Sequence, residues 1–458
     1  MKRAAILLAL AAAACAVPDP PKPDELRQQA MPNSAVPAQW TGGPAGDGDP
    51  VQGWLATFGE PALDAIVRES IAYNYDLRIA AARIEAAEAA ARAAGGALLP
   101  QLAIAGRGGG KMSGDQSGLQ VLGLFASWEL DLWGRVRAQR ASATAQYEST
   151  VLDAAYARQS IAAMVAKSWF LAREAAAQGA IARDMVTSSE SLAGFSRDRQ
   201  RVGKADDYEV AQAEVSVLAY RDVALQSDLA LQNALRAIEI LAGRYPAAQL
   251  EVGTGLPTFD TAIPAGLPSQ LLERRPDVRA AERRVAASFY ATHEARAARL
   301  PRISLTGGVN TVSSDLIVLK ERNNPVWSLG ASLVAPIFSG GTLQAQVDVR
   351  TAEQKAAVAE YGRIGARAFN EVESALSSAI NLQRRAEVLS RSVTANENAL
   401  GFARVRYDVG SGDLRGVQQQ LITLHAARTS LVHVQAERLI QRVNLYLALG
   451  GGFDPASR

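Results

Sequence analysis

One stretch of this chain is written twice. Asp76, Arg78, Arg83 and Pro100 fall on Asp277, Arg279, Arg284 and Pro301 at a constant offset of 201. In both copies a run rich in Ala, Arg and Glu ends at Leu-Pro. An alternating segment follows, with Leu102 and Ile104 in one copy and Ile303 and Leu305 in the other. A helical period gives way to a period of two across a proline. The likeness continues at offset 207, where Phe195, Val202, Gly203, Gln212, Arg221 and Gly243 match Phe402, Val409, Gly410, Gln419, Arg428 and Gly450. Each half reads helix, two strands, very long helix, Gly-marked turn, long helix. Such a repeat sets the architecture. Two fused copies of one elongated unit replace the two or three domains that 458 residues would suggest.

The chain opens with Lys2-Arg3 and the uncharged Ala4–Ala14, the layout of a secretory signal over residues 1–14. That run is shorter than the roughly 20 residues a bilayer-spanning helix needs. The formal charge of +2 includes Lys2 and Arg3, so a processed chain is near neutral, which speaks against a nucleic-acid partner. Cys15 is the only cysteine, which excludes a disulfide framework and a Cys-based metal site. Two readings of Cys15 stand: the acylated first residue of a lipoprotein, following the small Ala12-Ala13-Ala14, or an incidental cysteine in an ordinary signal peptide.

Residues 15–60 read as an N-terminal tether, because Ala16–Pro50 holds eight prolines and such a composition packs no core. The first repeat spans 61–245. Its first helix is expected from Pro61 to about Ala97, and the proline-free stretch from Gly134 to Gly203 as one helix on the order of 100 Å long at 1.5 Å per residue. Ile161, Val165, Trp169, Ala172 and Ala176 step along it as the stripe of a helix packed beside others. Residues 246–276 form a proline-bearing linker and the second repeat spans 277–450. A short tail, 451–458, is expected to be disordered.

Leu122, Leu124, Ala126, Trp128 and Leu130 alternate with their neighbours, as do Trp327, Leu329, Ala331 and Leu333. Partner strands are expected near 102–108 and 303–311, joined by polar, Gly-rich loops. Strands of about ten residues with one apolar face suit a membrane barrel. Four cannot close one, and open edges are not tolerated in lipid. Three copies would supply about twelve strands, an even number within the known range.

Leu271–Val278 (LLERRPDV) with Ala280–Arg284, Ser127–Val136 (SWELDLWGRV), Asn444–Gly452 (NLYLALGGG) and Cys15–Asp19 (CAVPD) together resemble the outer membrane factors of tripartite efflux systems, the TolC-like proteins, in their lipidated NodT-type branch. The resemblance covers nearly the whole mature chain. It implies a mainly α fold with a transmembrane β part: a homotrimer whose 12-stranded outer-membrane β-barrel, four strands per chain, continues as a long α-helical periplasmic barrel. It implies a passive exit duct, neither enzyme nor cofactor-dependent, closed at its far end by an iris. The implied partners are outer-membrane lipid, a periplasmic adaptor (membrane fusion protein) and an inner-membrane transporter of RND type.

The resemblance also assigns residues. The tips Val202-Gly203-Lys204 and Val409-Gly410-Ser411 would meet the adaptor, although Gly203 and Gly410 also suit plain helix C-caps. Tyr407, shortly before the second tip, and Glu209, six residues after Gly203, would form a charge-assisted latch at the aperture. Both could equally be solvated helix-surface residues. The tunnel-lining acids of the family fall on Gly416 and Gln419, and its latch cation on Gly412. Arg415, Asp413, Asp206 and Asp207 are the candidate substitutes, so the aperture set is Glu209, Tyr407, Gln419 and Arg415.

No catalytic or metal site is read. Gly108-Gly109-Gly110-Lys111 lacks the first glycine and the Ser/Thr of a phosphate loop. His293, His425 and His433 are scattered without metal-ligand spacing. A second reading remains open, a periplasmic coiled-coil lipoprotein scaffold or adaptor without a pore. The four alternating segments separate the two, since a scaffold needs no lipid-facing strands.

Overall fold

The structure is a computed structural model that describes residues 17–43, 48, 52–107, 120–259, 263–313 and 325–454. Cys15, the Gly108–Lys111 motif and most of the two strand-connecting loops lie outside them. The chain forms two compact units. One is built from residues up to Ser34, Ala81–Asp153 and Asp277–Gly365, the other from Ala35–Ala80, Ala154–Pro276 and Ala366 onward. Each unit draws on both sequence repeats. The long helices of the two repeats match in length pair by pair. Helices α3 (Tyr75–Gly96) and α7 (Pro276–Ala297) have 22 residues each, α4 (Arg135–Arg201) and α8 (Thr342–Asp408) 67, and α5 (Asp207–Leu241) and α9 (Leu414–Ala448) 35.

In the first unit, β1 (Gln101–Arg107), β2 (Gln120–Leu130), β3 (Arg302–Ser313) and β4 (Pro325–Val334) make one antiparallel sheet in the order β1-β2-β3-β4. The strands from the two repeats join through β2 and β3, where Trp128 faces Leu305 and Leu124 faces Val309. Ile104 lies opposite Leu124, and Leu305 opposite Ala331. The register therefore gathers Leu102, Ile104, Leu122, Leu124, Trp128, Ile303, Leu305, Leu329 and Leu333 on one face. Ser127, Glu129, Ser304, Thr306, Ser328 and Ser332 fall on the other. The apolar face is bare, with Ile104 78% and Leu329 81% exposed, and among the described residues β1 and β4 each keep one unpaired edge.

The SWELDLWGRV segment turns β2 into α4. Asp131 accepts hydrogen bonds from the backbone N–H groups of Val136 (3.1 Å) and Arg137 (2.9 Å), satisfying donors that a helix start leaves free. Gly134 takes the positive φ of 73° that the turn demands. The Trp128 and Trp133 indoles donate to Leu98 O (2.9 Å) and Pro301 O (2.7 Å), tying β2 to the starts of β1 and β3. Alanines let α4 and α7 approach closely: Ala145 packs on Ala286 and Ala287. Part of the expected tether is structured here. Pro23–Ala30 is a helix (α1), with Pro23 in its first turn and Asp24 and Glu25 beside its positive end. Leu26 is buried. Ala30 O lies so near α8 that a Cβ at Gly362 would stand 2.5 Å away.

The second unit holds the main aromatic core. Ile161, Val165, Trp169, Ala172 and Ala176 of α4 are all buried, as their spacing implies. A 3-10 turn, Trp54–Phe58, stacks Trp54 on Tyr446 at 5.6 Å and sets Phe58 5.1 Å from Phe170. The expected first helix is in fact two, α2 (Pro61–Tyr73) and α3, broken at Asn74. There Asn74 Oδ1 accepts from the backbone of Asp76 and Leu77, while its amide donates to Leu241 O at 2.9 Å. A residue that caps one helix and binds another prevails over uninterrupted propensity. The tether is anchored in this unit also: the Trp40 indole donates to Gly266 O (3.0 Å), and Thr41 N to Glu373 (3.1 Å).

The linker holds short structure of the kind its composition leaves room for, and the expectation of a disordered tail is corrected. The linker contains the one-turn helix α6 (Leu271–Arg274), and its first residues are held by buried Glu239, which accepts from Ala248 N and Gln249 N at 2.7 Å. The tail is ordered through Asp454: Gly451, Gly452 and Phe453 are buried. Gly452 O accepts from Gly53 N at 2.7 Å and Arg158 covers the Phe453 ring. Backbone pairing and a cation–π contact hold what composition alone leaves loose.

Candidate functional site

The two glycine turns of the second unit are built alike. Gly203 (φ 70°) and Gly410 (φ 76°) end α4 and α8 in the left-handed conformation. Lys204 N returns to Arg199 O and Ser411 N to Arg406 O, each at 2.8 Å, the bond that closes a glycine-capped helix end. Asp206 and Asp413 then cap α5 and α9, accepting from Glu209 N (2.9 Å) and Gly416 N (2.8 Å). These carboxylates serve the backbone, and Asp207 accepts from Gln200 at 2.5 Å. Val202, Gly203, Lys204, Val409, Gly410 and Ser411 are all exposed at the turns.

Just behind the turns the structure brings Tyr407 and Glu209 together. The Tyr407 hydroxyl donates to Glu209 Oε1, so a hydrogen bond links the first helix pair (α4, α5) to the second (α8, α9). Tyr407 is only 1% exposed, not a solvated surface residue. Ser196 Oγ lies 3.2 Å from the same hydroxyl, and Phe195 meets the ring edge-on at 5.4 Å. Burial, and next the bond to Glu209, push the Tyr407 pKa above its ordinary value of 10.0, so the phenol stays a donor throughout the physiological range.

Arg199 completes the cluster. Its guanidinium stands over the Tyr407 ring, 4.7 Å from the centroid, and donates to Tyr407 O (3.3 Å) and Lys204 O (3.2 Å). Arg199 Nε is 3.8 Å from Glu209 Oε1. Sequence reasoning missed Arg199 and Ser196. A partial signal was available: Tyr407, Glu209 and Ser196 occupy positions where the other repeat has Gln200, Gly416 and Ala403, so the cluster sits where the copies diverge. Gly412, where a latch cation was expected, has little room, since a Cβ there would lie 3.1 Å from Arg406 Cβ and 3.3 Å from backbone. Arg415 and Gln419 are exposed one turn apart on α9 and do not join the Tyr407 cluster.

Beneath the cluster, Met185, Ala193, Ala213, Val217, Tyr220, Leu400, Leu414, Val417, Leu421 and Leu424 form an apolar core shared by both helix pairs. Gln418 donates to Gln212 O at 3.2 Å across it. His425 packs edge-on against Tyr220 at 5.5 Å, and burial lowers its pKa below the ordinary 6.5. Two apolar seams face outward. Tyr208, Val215, Leu218, Leu225 and Leu229 on α5, and Val388, Phe402 and Val405 on α8 with Val409 just past its end, are all more than half exposed and are spaced by three, four or whole heptads, as along a coiled-coil seam. Among the described residues no helix is long and apolar enough to cross a membrane, and no group of side chains could hold a metal ion.

The sequence pattern of the family described as "Outer membrane efflux protein" matches residues 66–244 and 267–451, one stretch per repeat. The chain is 31% identical over 444 residues to the "Pyoverdine export outer membrane protein OpmQ" of Pseudomonas aeruginosa, covering 92% of each. It is 30% identical to the "Cation efflux system protein CusC" of Escherichia coli, covering 88% of each. Among solved structures, the outer-membrane channel OprN superposes with a TM-score of 0.87 at 27% identity, over 96% of this chain and all of that one.

Proposed function

Because the chain belongs to the outer membrane efflux protein family and is an outer-membrane exit duct working with a periplasmic adaptor and an inner-membrane transporter, we propose that three copies close the duct and that Tyr407 and Glu209 hold its periplasmic end shut. The observation that carries the first part is the sheet. Four strands with a bare apolar face and two unpaired edges need neighbours to satisfy their backbone in lipid, and three copies give a barrel of twelve. The outward seams on α5 and α8 supply the matching contact between copies along the helices.

The aperture reading rests on the Tyr407–Glu209 bond, which ties one helix pair to the other just behind the exposed tips. Arg415 and Gln419 complete the proposed aperture as exposed residues of α9. Val202, Gly203, Lys204, Val409, Gly410 and Ser411 are the proposed adaptor contacts, and the NodT-type motifs support an RND-type transporter. Cargo is chosen elsewhere: relatives of nearly equal identity are described as serving pyoverdine export and cation efflux.

Cys15 is the proposed lipid anchor. Two residues on, Val17 reaches the β2–α4 turn, where a Cβ on Gly134 would lie 3.0 Å from Val17 Cγ2. Reconstitution in planar bilayers tests the function. Purified protein should form ion-conducting pores whose conductance rises in the Glu209→Gln/Tyr407→Phe variant, and a preparation that inserts no pores overturns the reading.

A further inference from the structure

The latch contains a cation that comes from neither the position nor the helix expected of it. Arg199 sits at the C-terminal end of α4, where free carbonyls carry partial negative charge. The C-terminal end of α8 meets it there, so two negative helix ends and the Glu209 carboxylate converge on one place. The guanidinium answers all three: it donates to Lys204 O in its own turn, to Tyr407 O at the end of α8, and lies beside Glu209. Its Nε is buried, lacks a hydrogen-bond partner and stands 3.8 Å from Glu209 Oε1. Its Cζ stands over the Tyr407 ring, and the planar fork lets one side chain donate to both carbonyls while it does so.

We propose that Arg199 is the positioning residue of the latch: it clamps Tyr407 from α4 and holds the two helix pairs in the orientation in which the phenol reaches Glu209. This rests on the aperture reading above. The chain provides its own control. Arg406 occupies the equivalent place in the second repeat but is exposed, because only one of the two helix ends faces the other pair's tyrosine. The same residue type at the same helix end therefore holds the latch in one copy and contacts solvent in the other.

The test compares single-channel conductance in planar bilayers for the full-length protein and four variants: Arg199→Gln, Arg406→Gln, Glu209→Gln/Tyr407→Phe, and the combination of the first with the third. Arg199→Gln is expected to raise mean conductance at least twofold, and Arg406→Gln to leave it within the wild-type spread. If Arg199 acts through Tyr407 and Glu209, the combined variant conducts no more than the latch variant, since coupled residues are not additive. Arg199→Lys keeps the charge but loses the fork that donates to Tyr407 O and Lys204 O together, so it should conduct like Arg199→Gln. It also carries the comparison if Arg199→Gln fails to assemble.

Wild-type conductance in both Arg199 variants, beside an opened Glu209→Gln/Tyr407→Phe channel, would overturn this inference alone. Equal opening by Arg199→Gln and Arg406→Gln would overturn it as well. A Glu209→Gln/Tyr407→Phe channel that stays closed would remove the aperture reading and this inference with it.

Discussion

Replacing Tyr407 by Phe deletes one oxygen and leaves the ring, with its contacts to Phe195 and Arg199, in place. The oxygen makes two bonds. The bond to Glu209 is charge-assisted and partly shielded, a class worth about 1.5–3 kcal/mol. The second partner, Ser196 Oγ, is fully buried, and stranding a buried hydroxyl costs on the order of 1–3 kcal/mol. Two facts reduce the sum. The Glu209 side chain is 21% exposed and can be rehydrated, and the serine can turn toward its own helix. A loss of about 2 kcal/mol per chain is the reasonable expectation, roughly a thirtyfold shift toward the open form of that chain's aperture at 1.4 kcal/mol per decade. In a planar bilayer the variant should show higher single-channel conductance and more frequent openings than wild type. Ser196→Ala, which removes only the weaker partner, should shift the equilibrium less. Wild-type conductance from a correctly assembled Tyr407→Phe channel would refute the assignment of the closed state to this bond.

Two more outcomes are expected, the first from the structure and the second from the sequence. Burial holds the His425 pKa below 6.5, so as pH falls below about 6.5 the unfolded chain binds its proton first. The stability this imidazole supports is complete above that pH and is lost as pH drops toward the lowered folded value. His293 is shifted the same way by burial. Thermal midpoints measured between pH 7.5 and 5 should therefore fall less steeply in His425→Gln, with a residual slope from His293, and identical slopes would contradict this placement of His425. Cys15→Ser should abolish labelling by radioactive palmitate, and a labelled variant would refute the anchor.

The features legible in the sequence are those that local pattern enforces. Proline-free runs between Pro100 and Pro246 and after Pro336 permit uninterrupted helices, and α4 and α8 occupy them. Alternation across the Leu-Pro boundaries locates the strands, and the repeat pairs each element with its counterpart. The misses depend on distant partners. Asn74 breaks a helix because Leu241 O waits for its amide. The prolines near the N-terminus hid α1, and the packing of the tether depends on Gly362 and Glu373 far along the chain. The glycines at the C-terminus suggested a loose tail, although Gly53 and Arg158 engage it. At the tips, Tyr407 and Glu209 could be named through the family resemblance. Arg199 could not, because nothing local distinguishes it from Arg406. Only the packing of one helix pair against the other decides which arginine turns inward.

The mass of the particle extracted from outer membranes in detergent tests most directly whether one chain borrows its barrel from identical neighbours. The account predicts three copies of the mature chain in a particle that needs detergent to remain dispersed. A single chain that stays in solution without detergent would contradict it, since the apolar sheet face and the free edges of β1 and β4 would then have found another resolution.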